Sequence, residues 1–183
     1  MNTLSSGACI FFTGLSGAGK TTIANALDQS LRNDHSRTTT LLDGDVVRTH
    51  LSTELGFSRR DRDCNIARIG FVATEIVKHG GIVIVAAIAP FDTARRGVRA
   101  QVEQHGVFLM VHLSTALSVC EARDPKGLYV KARHGEIAAF TGISDPYEVP
   151  DDADLTIDTA VTDVADAVRA LTDLMSARCV LAG

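Results

Sequence analysis

Gly14-Leu15-Ser16-Gly17-Ala18-Gly19-Lys20-Thr21 decides how this chain is read, because it fits the phosphate-cradling pattern G-x-x-x-x-G-K-[ST] in the context that pattern requires. Before it, Cys9 to Thr13 is a short apolar run that reads as a strand. After it, from Thr22 to Leu31, apolar residues fall at Ile23, Ala26, Leu27 and Leu31, a helical period. A strand turning through glycines into a helix aims successive backbone N–H groups and the positive end of the helix dipole at one spot. Gly14, Ser16, Gly17, Ala18, Gly19 and Thr22 are thus expected around a nucleoside triphosphate. Lys20 should reach its β- and γ-phosphates, and the Thr21 hydroxyl should hold Mg2+. The bland alternative, a chance match in a glycine-containing turn, does not explain the flanking strand and helix.

Working outward, 183 residues suffice for one domain with an ample core. The net charge of −4 and the absence of any run among the 18 basic residues argue against nucleic acid as a partner. The longest apolar run, Ile82 to Ala89, is too short to span a bilayer, so no membrane is expected. The first residues carry no charged stretch leading into an apolar one, so no signal peptide is expected. Cys9, Cys64, Cys120 and Cys179 form no C-x-x-C pair, which argues against structural zinc. Cys9 and Cys120 stand in apolar settings and read as buried thiols, and a reducing cytoplasm fits best.

The elements alternate along the chain. Thr38 to Leu42 reads as a second strand and Asp45 to Leu55 as a short helix. Ser58, with Asp61 three residues on, opens a long helix that stops at Gly80-Gly81. Ile82 to Ile88 lacks alternation, as a central strand covered on both faces would. A helix over Asp92–Glu103, a strand over Val107–Leu113, a helix over Thr115–Arg123, a short strand Leu155–Ile157 and an amphipathic C-terminal helix from Val161 complete the pattern. Asp124 to Pro150 is rich in charge, Gly and Pro, reads as irregular, and is expected to be a functional lid, within about 123–150. The expected fold is α/β: a three-layer P-loop NTPase fold with a mostly parallel five-stranded sheet, helices on both faces and a mobile lid, as a single domain over 1–183.

The central strand ends Ile88-Ala89-Pro90 without a carboxylate, so an acid for the metal must come from elsewhere. Asp43-Gly44-Asp45 follows the second strand and is placed to face the γ-phosphate. Asp45 could take or orient the proton of an attacking hydroxyl and order the metal's water shell, or could cap the helix that starts there. Arg48, Arg62, Asn65 and Phe57 suit an anionic acceptor bearing a flat ring; the alternative is a solvated helix face with ion pairs such as Arg59–Asp63. Arg123 to Arg133, which includes Lys126, Gly127, Leu128 and Lys131, offers mobile positive charge for a transferring phosphoryl group; the alternative is an ordinary solvated helix. Phe140 could stack on a base or fold its loop onto the core, and Tyr147 and Glu148 could merely pack the end of the lid.

Taken together these residues resemble the adenylyl-sulfate kinase family. The likeness runs from about Ile10 to Thr159 and rests on the phosphate loop, Asp43-Gly44-Asp45 with Arg48, Leu55-Gly56-Phe57-Ser58, Asp61-Arg62 with Asn65-Ile66, the Arg123–Tyr129 stretch, Ala132-Arg133 with Gly135-Glu136-Ile137, and Phe140-Thr141-Gly142-Ile143 followed by Pro146-Tyr147-Glu148. The lid stretch joined to Phe-Thr-Gly is far more specific than the phosphate loop alone. The resemblance implies transfer of the γ-phosphate of MgATP to the 3′-hydroxyl of adenosine 5′-phosphosulfate (APS), giving the 3′-phosphorylated product PAPS. It implies that Asp45, Lys20 and Lys126 are catalytic, that Thr21 and Asp45 hold the metal, and that Arg123 lies near the ATP adenine. Asp43, Arg48, Arg62, Asn65, Ile88, Ala89, Lys126, Gly127 and Leu128 would bind the acceptor, with its adenine between Phe57 and Phe140. It further implies a homodimer and possible association with ATP sulfurylase. The chain departs from the family at Ala89, where Ser is usual, at Ala67, where Arg is usual, and at Phe11, where Trp is common. Two other readings remain: a P-loop kinase with a different small acceptor, and a non-catalytic nucleotide-binding partner of a sulfurylase.

Overall fold

The computed structural model describes residues 7–181; residues 1–6, on which the expected absence of a leader partly rests, lie outside that range. Its framework is a parallel sheet of β1 (Ala8–Gly14), β2 (Thr39–Asp43), β3 (Ile82–Ala86), β4 (Val107–Leu113) and β5 (Leu155–Ile157), in the order β2-β3-β1-β4-β5. Side chains of a strand alternate between faces, and here both faces are dry. Ala8, Ile10 and Phe12 of β1 enter one core and Cys9 and Phe11 the other. β3 divides in the same way, Ile82 and Ile84 against Val83 and Val85, which is why its sequence shows no alternation.

Helices α1 (Lys20–Asn33) and α7 (Val164–Ala177) cover the first face through Ile23, Leu27, Leu31, Leu171 and Met175. Helices α3 (Arg59–Lys78) and α4 (Asp92–Val102) cover the second through Ile66, Ile69, Val77, Val98 and Val102. Each fully buried aliphatic or aromatic side chain contributes about 1.5–3 kcal/mol. The chain builds β2 and β3 on one side of β1 and then crosses to β4 on the other, which opens a crevice at the C-terminal strand ends, beside the loop that follows β1.

Several boundaries differ from expectation for local reasons. β3 stops at Ala86 rather than Ile88, because the chain bends into Pro90 with Ala89 at φ 45°. Helix α2 (Gly44–Leu51) ends before Leu55. Helix α5 spans Leu117–Arg123. The segment expected to be irregular contains helix α6 (Leu128–Arg133), whose first amides are held by the Asp124 carboxylate: Leu128, Tyr129 and Val130 N–H donate to it at 2.8, 3.0 and 3.1 Å. The last helix starts at Val164, where Asp163 caps it through Asp166 N–H, leaving Val161 outside. Ser58 caps α3 as expected, accepting from Asp61 N–H and donating to the Asp61 carboxylate. Cys9 and Cys120 are buried, and all four cysteines are free thiols.

Candidate active site

β1 delivers the chain to Gly14 at φ 150°, where a Cβ would lie 2.7 Å from the Leu113 carbonyl oxygen of neighbouring β4. Only glycine passes there. The loop closes through Ala18 N–H, which donates to Leu15 O at 3.2 Å, and reaches Gly19, the N-cap of α1, at φ 97°. No side chain caps this helix, so its first amides face the crevice with the positive end of the dipole behind them. Thr21 and Thr22 follow as exposed residues of the first turn. Lys20 lies over the loop, its ammonium donating to Gly14 O at 2.9 Å and Leu15 O at 2.7 Å. Burial pulls its pKa down to about 8, against smaller upward pulls from Cys120, Asp43 and Asp45.

The two carboxylates of Asp43-Gly44-Asp45 point to different partners. The Thr21 hydroxyl donates to Asp43 Oδ2 at 2.7 Å, while Asp43 Oδ1 accepts from Asp45 N–H at 2.9 Å. The cap of α2 therefore falls on Asp43, and the acid that meets Thr21 is Asp43 rather than Asp45. Asp45 is exposed, and its carboxylate is met by the Lys126 ammonium from the segment after α5. A threonine hydroxyl beside a carboxylate is a hard oxygen donor pair of the kind Mg2+ takes together with phosphates and water. The pair fits that ion. Elsewhere among the described residues, Asp92, Asp151 and Asp152 form a close acidic group, but Arg95, Arg96 and Arg99 already neutralise it.

Arg48 and Arg62 come together at Phe57, and Asn65 follows Arg62 by three residues on α3. The Arg48 guanidinium lies 4.6 Å from the Phe57 ring centroid and donates to Gly56 O at 3.0 Å. Arg62 donates to Phe57 O at 2.9 Å and to Ala139 O at 2.6 Å, so it straps the Phe57 and Phe140 segments together. Burial lowers the pKa of both arginines, so an incoming anion would relieve them. Asn65 is buried, and its side-chain oxygen has no partner. Phe57 is 57% exposed, whereas Phe140 is 8% exposed and packs edge-on to Tyr129, with centroids 5.0 Å apart. The Arg59–Asp63 pair of the alternative reading does not form: Arg59 reaches Glu148 at 3.7 Å and lies over the Phe91 ring.

Arg123 sits at the other end of the loop. It donates to Gly17 O at 3.3 Å, Thr159 Oγ1 at 2.7 Å and Thr159 O at 2.8 Å. Thr159 Oγ1 donates in turn to Ala18 O at 3.0 Å, and Thr159 N–H to Thr115 Oγ1 at 3.0 Å. Thr159 is thus a support of the phosphate loop that sequence reading missed, lying 36 residues from Arg123. Tyr129, in sequence only one residue of a lid motif, donates its hydroxyl to Ser16 O at 2.9 Å and ties α6 to the loop. Lys126 and Gly127 stand on the turn before α6, closed by Gly127 N–H donating to Asp124 O at 3.0 Å, and Leu128 begins that helix. Burial pushes the Asp124 pKa up, but the three amide bonds outweigh it and the net shift is down. Ile88 and Ala89 leave β3 between the acid pair and the phosphate loop, since Ala86 registers with both Asp43 and Phe12.

A family model described as adenylylsulphate kinase matches residues 6–158. Adenylyl-sulfate kinase of Shewanella sp. (strain MR-7) is 55% identical over 168 residues, covering 92% of this chain and 81% of that protein. Sulfate adenylyltransferase of Phaeosphaeria nodorum is 49% identical over 175 residues; the match covers 96% of this chain but only 30% of that protein's length. Among solved structures, the Mycobacterium tuberculosis APS kinase in complex with AMPPNP and APS superposes with a TM-score of 0.87 at 39% identity, covering 93% of this chain and 98% of that one.

Proposed function

This chain belongs to the adenylyl-sulfate kinase family, and from that premise we propose that it transfers the γ-phosphate of MgATP to the 3′-hydroxyl of adenosine 5′-phosphosulfate, producing PAPS for sulfate assimilation. The observation that carries the reading is the meeting of Lys126 with Asp45, beside the Thr21–Asp43 pair and the loop under Lys20. Two anionic nucleotides need cations about them and an acid for the acceptor hydroxyl, and Lys20, Lys126 and Asp45 can supply these.

In this reading the amides of Gly14–Thr21 and the Lys20 ammonium hold the triphosphate, after Lys20 leaves Gly14 O and Leu15 O. Thr21 and Asp43 would hold Mg2+, which would neutralise charge on the β- and γ-phosphates. Arg48, Arg62 and Asn65 grip the acceptor's phosphosulfate and ribose, with Phe57 and Phe140 on its adenine. Asp45 accepts the proton of the 3′-hydroxyl as its oxygen attacks phosphorus in line and the bond to the β-phosphate oxygen breaks. Lys126 leaves Asp45 for the equatorial oxygens, so the segment 123–150 acts as a lid on a single domain.

No helix of the described residues is long and apolar enough to cross a membrane, and the four free thiols suit a reducing cytoplasm, where we place the reaction. A homodimer is part of the proposal, to be checked by sedimentation. So is association with a sulfurylase, which the Phaeosphaeria nodorum relative makes reasonable, since a sulfate adenylyltransferase there carries a region like this chain. The deciding experiment is a coupled assay of ADP release by the purified protein, with the product identified by mass spectrometry. ADP release strictly dependent on APS and a 3′-phosphorylated product is expected. Release driven by another small alcohol, or none at all, overturns the reading.

A further inference from the structure

Arg95, on the first turn of α4, is fully buried, yet its charge is poorly compensated. Among the described residues its one ion pair is with Asp92, at 3.4 Å, and its Nε has no partner. An apolar residue would pack such a site at less cost, so the guanidinium needs another reason to be there. Its two strong hydrogen bonds give one: Nη1 donates to Ala89 O and Nη2 to Glu148 O, each at 2.7 Å.

Both carbonyls belong to chain that borders the crevice. Ala89 is at φ 45°, a left-handed conformation a non-glycine residue keeps only when its surroundings hold it. Thr13, the residue before the phosphate loop, donates its hydroxyl to Ile88 O at 2.6 Å. That proton being used, the Tyr147 hydroxyl 2.9 Å away must be the donor to Thr13 Oγ1. Glu148 N–H donates to Pro90 O at 2.8 Å, and the Glu148 carboxylate accepts from Asp92 N–H at 2.7 Å. The Tyr147 ring stacks on His112, 5.9 Å between centroids, and lies 5.8 Å from the Arg95 guanidinium. The bend after β3, the root of the phosphate loop and the end of the 123–150 segment are therefore joined through Arg95 and Tyr147.

We propose that Arg95 is a positioning residue that holds the Ile88–Pro90 bend in its strained form and couples it to Tyr147-Glu148, thereby shaping the acceptor side of the site more than the ATP side. This rests on the kinase reading above.

The test compares Arg95→Met, Arg95→Lys and Tyr147→Phe with the wild type. In Arg95→Met the KM for APS should rise about tenfold while that for ATP stays within about twofold, and Arg95→Lys should recover part of the loss. Tyr147→Phe, which removes one hydroxyl and little packing, should raise the APS constant about threefold. Hydrogen exchange at Asp92 and Glu148 amides should quicken in Arg95→Met while β1 and β4 amides stay protected. If Arg95→Met does not fold, the other two variants decide. Equal rises in both KM values that track lost thermal stability, or unchanged exchange at Asp92 and Glu148, overturn the proposal. A wild type inactive on APS overturns the kinase reading alone, since the exchange result is independent of turnover.

Discussion

The Thr21 hydroxyl donates to Asp43 Oδ2 at 2.7 Å, so the side chain at the start of α1 and the carboxylate at the end of β2 form one oxygen cluster beside the phosphate loop. The other oxygen of Asp43 caps α2. One residue thus fixes a helix start and a metal-side donor, and the two roles can be separated. Asparagine caps as well as aspartate. Asp43→Asn should leave the melting temperature nearly unchanged while raising the Mg2+ concentration for half-maximal turnover by about 10–100-fold. An unchanged Mg2+ requirement would remove Asp43 from the metal site.

Lys126 contacts Asp45 and is expected to leave it for the phosphoryl group. Lys126→Ala should lower kcat by about 10²–10³, as loss of one donor to a developing charge does. ATP affinity measured without acceptor should hardly change. Asp45→Ala should cost about 10²–10⁴ in turnover if it handles the proton. Loss of ATP affinity matching the loss of kcat in Lys126→Ala would mean that the lysine binds ground-state nucleotide.

Burial brings the Lys20 pKa in the free protein down to about 8. Phosphate oxygens at the ammonium favour its charged form, so the bound pKa lies higher. Below pH 8 both states are protonated and ATP affinity should be flat. Above pH 8 binding must take up a proton, and affinity should fall by up to about tenfold per pH unit until the bound pKa is reached. Calorimetry in buffers of different ionisation enthalpy reads this directly. Flat affinity to pH 9.5, or proton release on binding, contradicts it.

Phe57 and Phe140 are expected to serve one adenine from unlike settings. Phe57 is 57% exposed, so Phe57→Ala should weaken acceptor binding with little change in stability. Phe140 is 8% exposed and packed on Tyr129, so Phe140→Ala should also cost about 3–5 kcal/mol of folding stability. Denaturant midpoints together with acceptor KM values separate the two effects.

What could be read from the residues alone was whatever depends on near neighbours in the chain. The strand-loop-helix around Lys20, the unbroken apolar run at Ile82 and the Ser58 cap are patterns of one to four residues' reach, and each appears in the structure. Helix α6 stands in the sequence only as the lesser alternative for this segment, because its stabilising feature is a side chain, Asp124, bonding three amides in a stretch whose composition signals a loop. The partners of Tyr147, Arg123 and Arg95 lie 134, 36 and 53 residues away, and no local period encodes such meetings. Which of two adjacent acids faces Thr21 is likewise settled by the turn between β2 and α2, where Asp43 is drawn to the Asp45 amide.

β2 is a border strand of the sheet, paired with β3 alone, and it ends on Asp43, two residues before Asp45 at the start of α2. Border strands open at lower free energy than central ones. Gentle heating should therefore silence turnover while the body of the protein still stands: the catalyst fails at its hem before its cloth gives way.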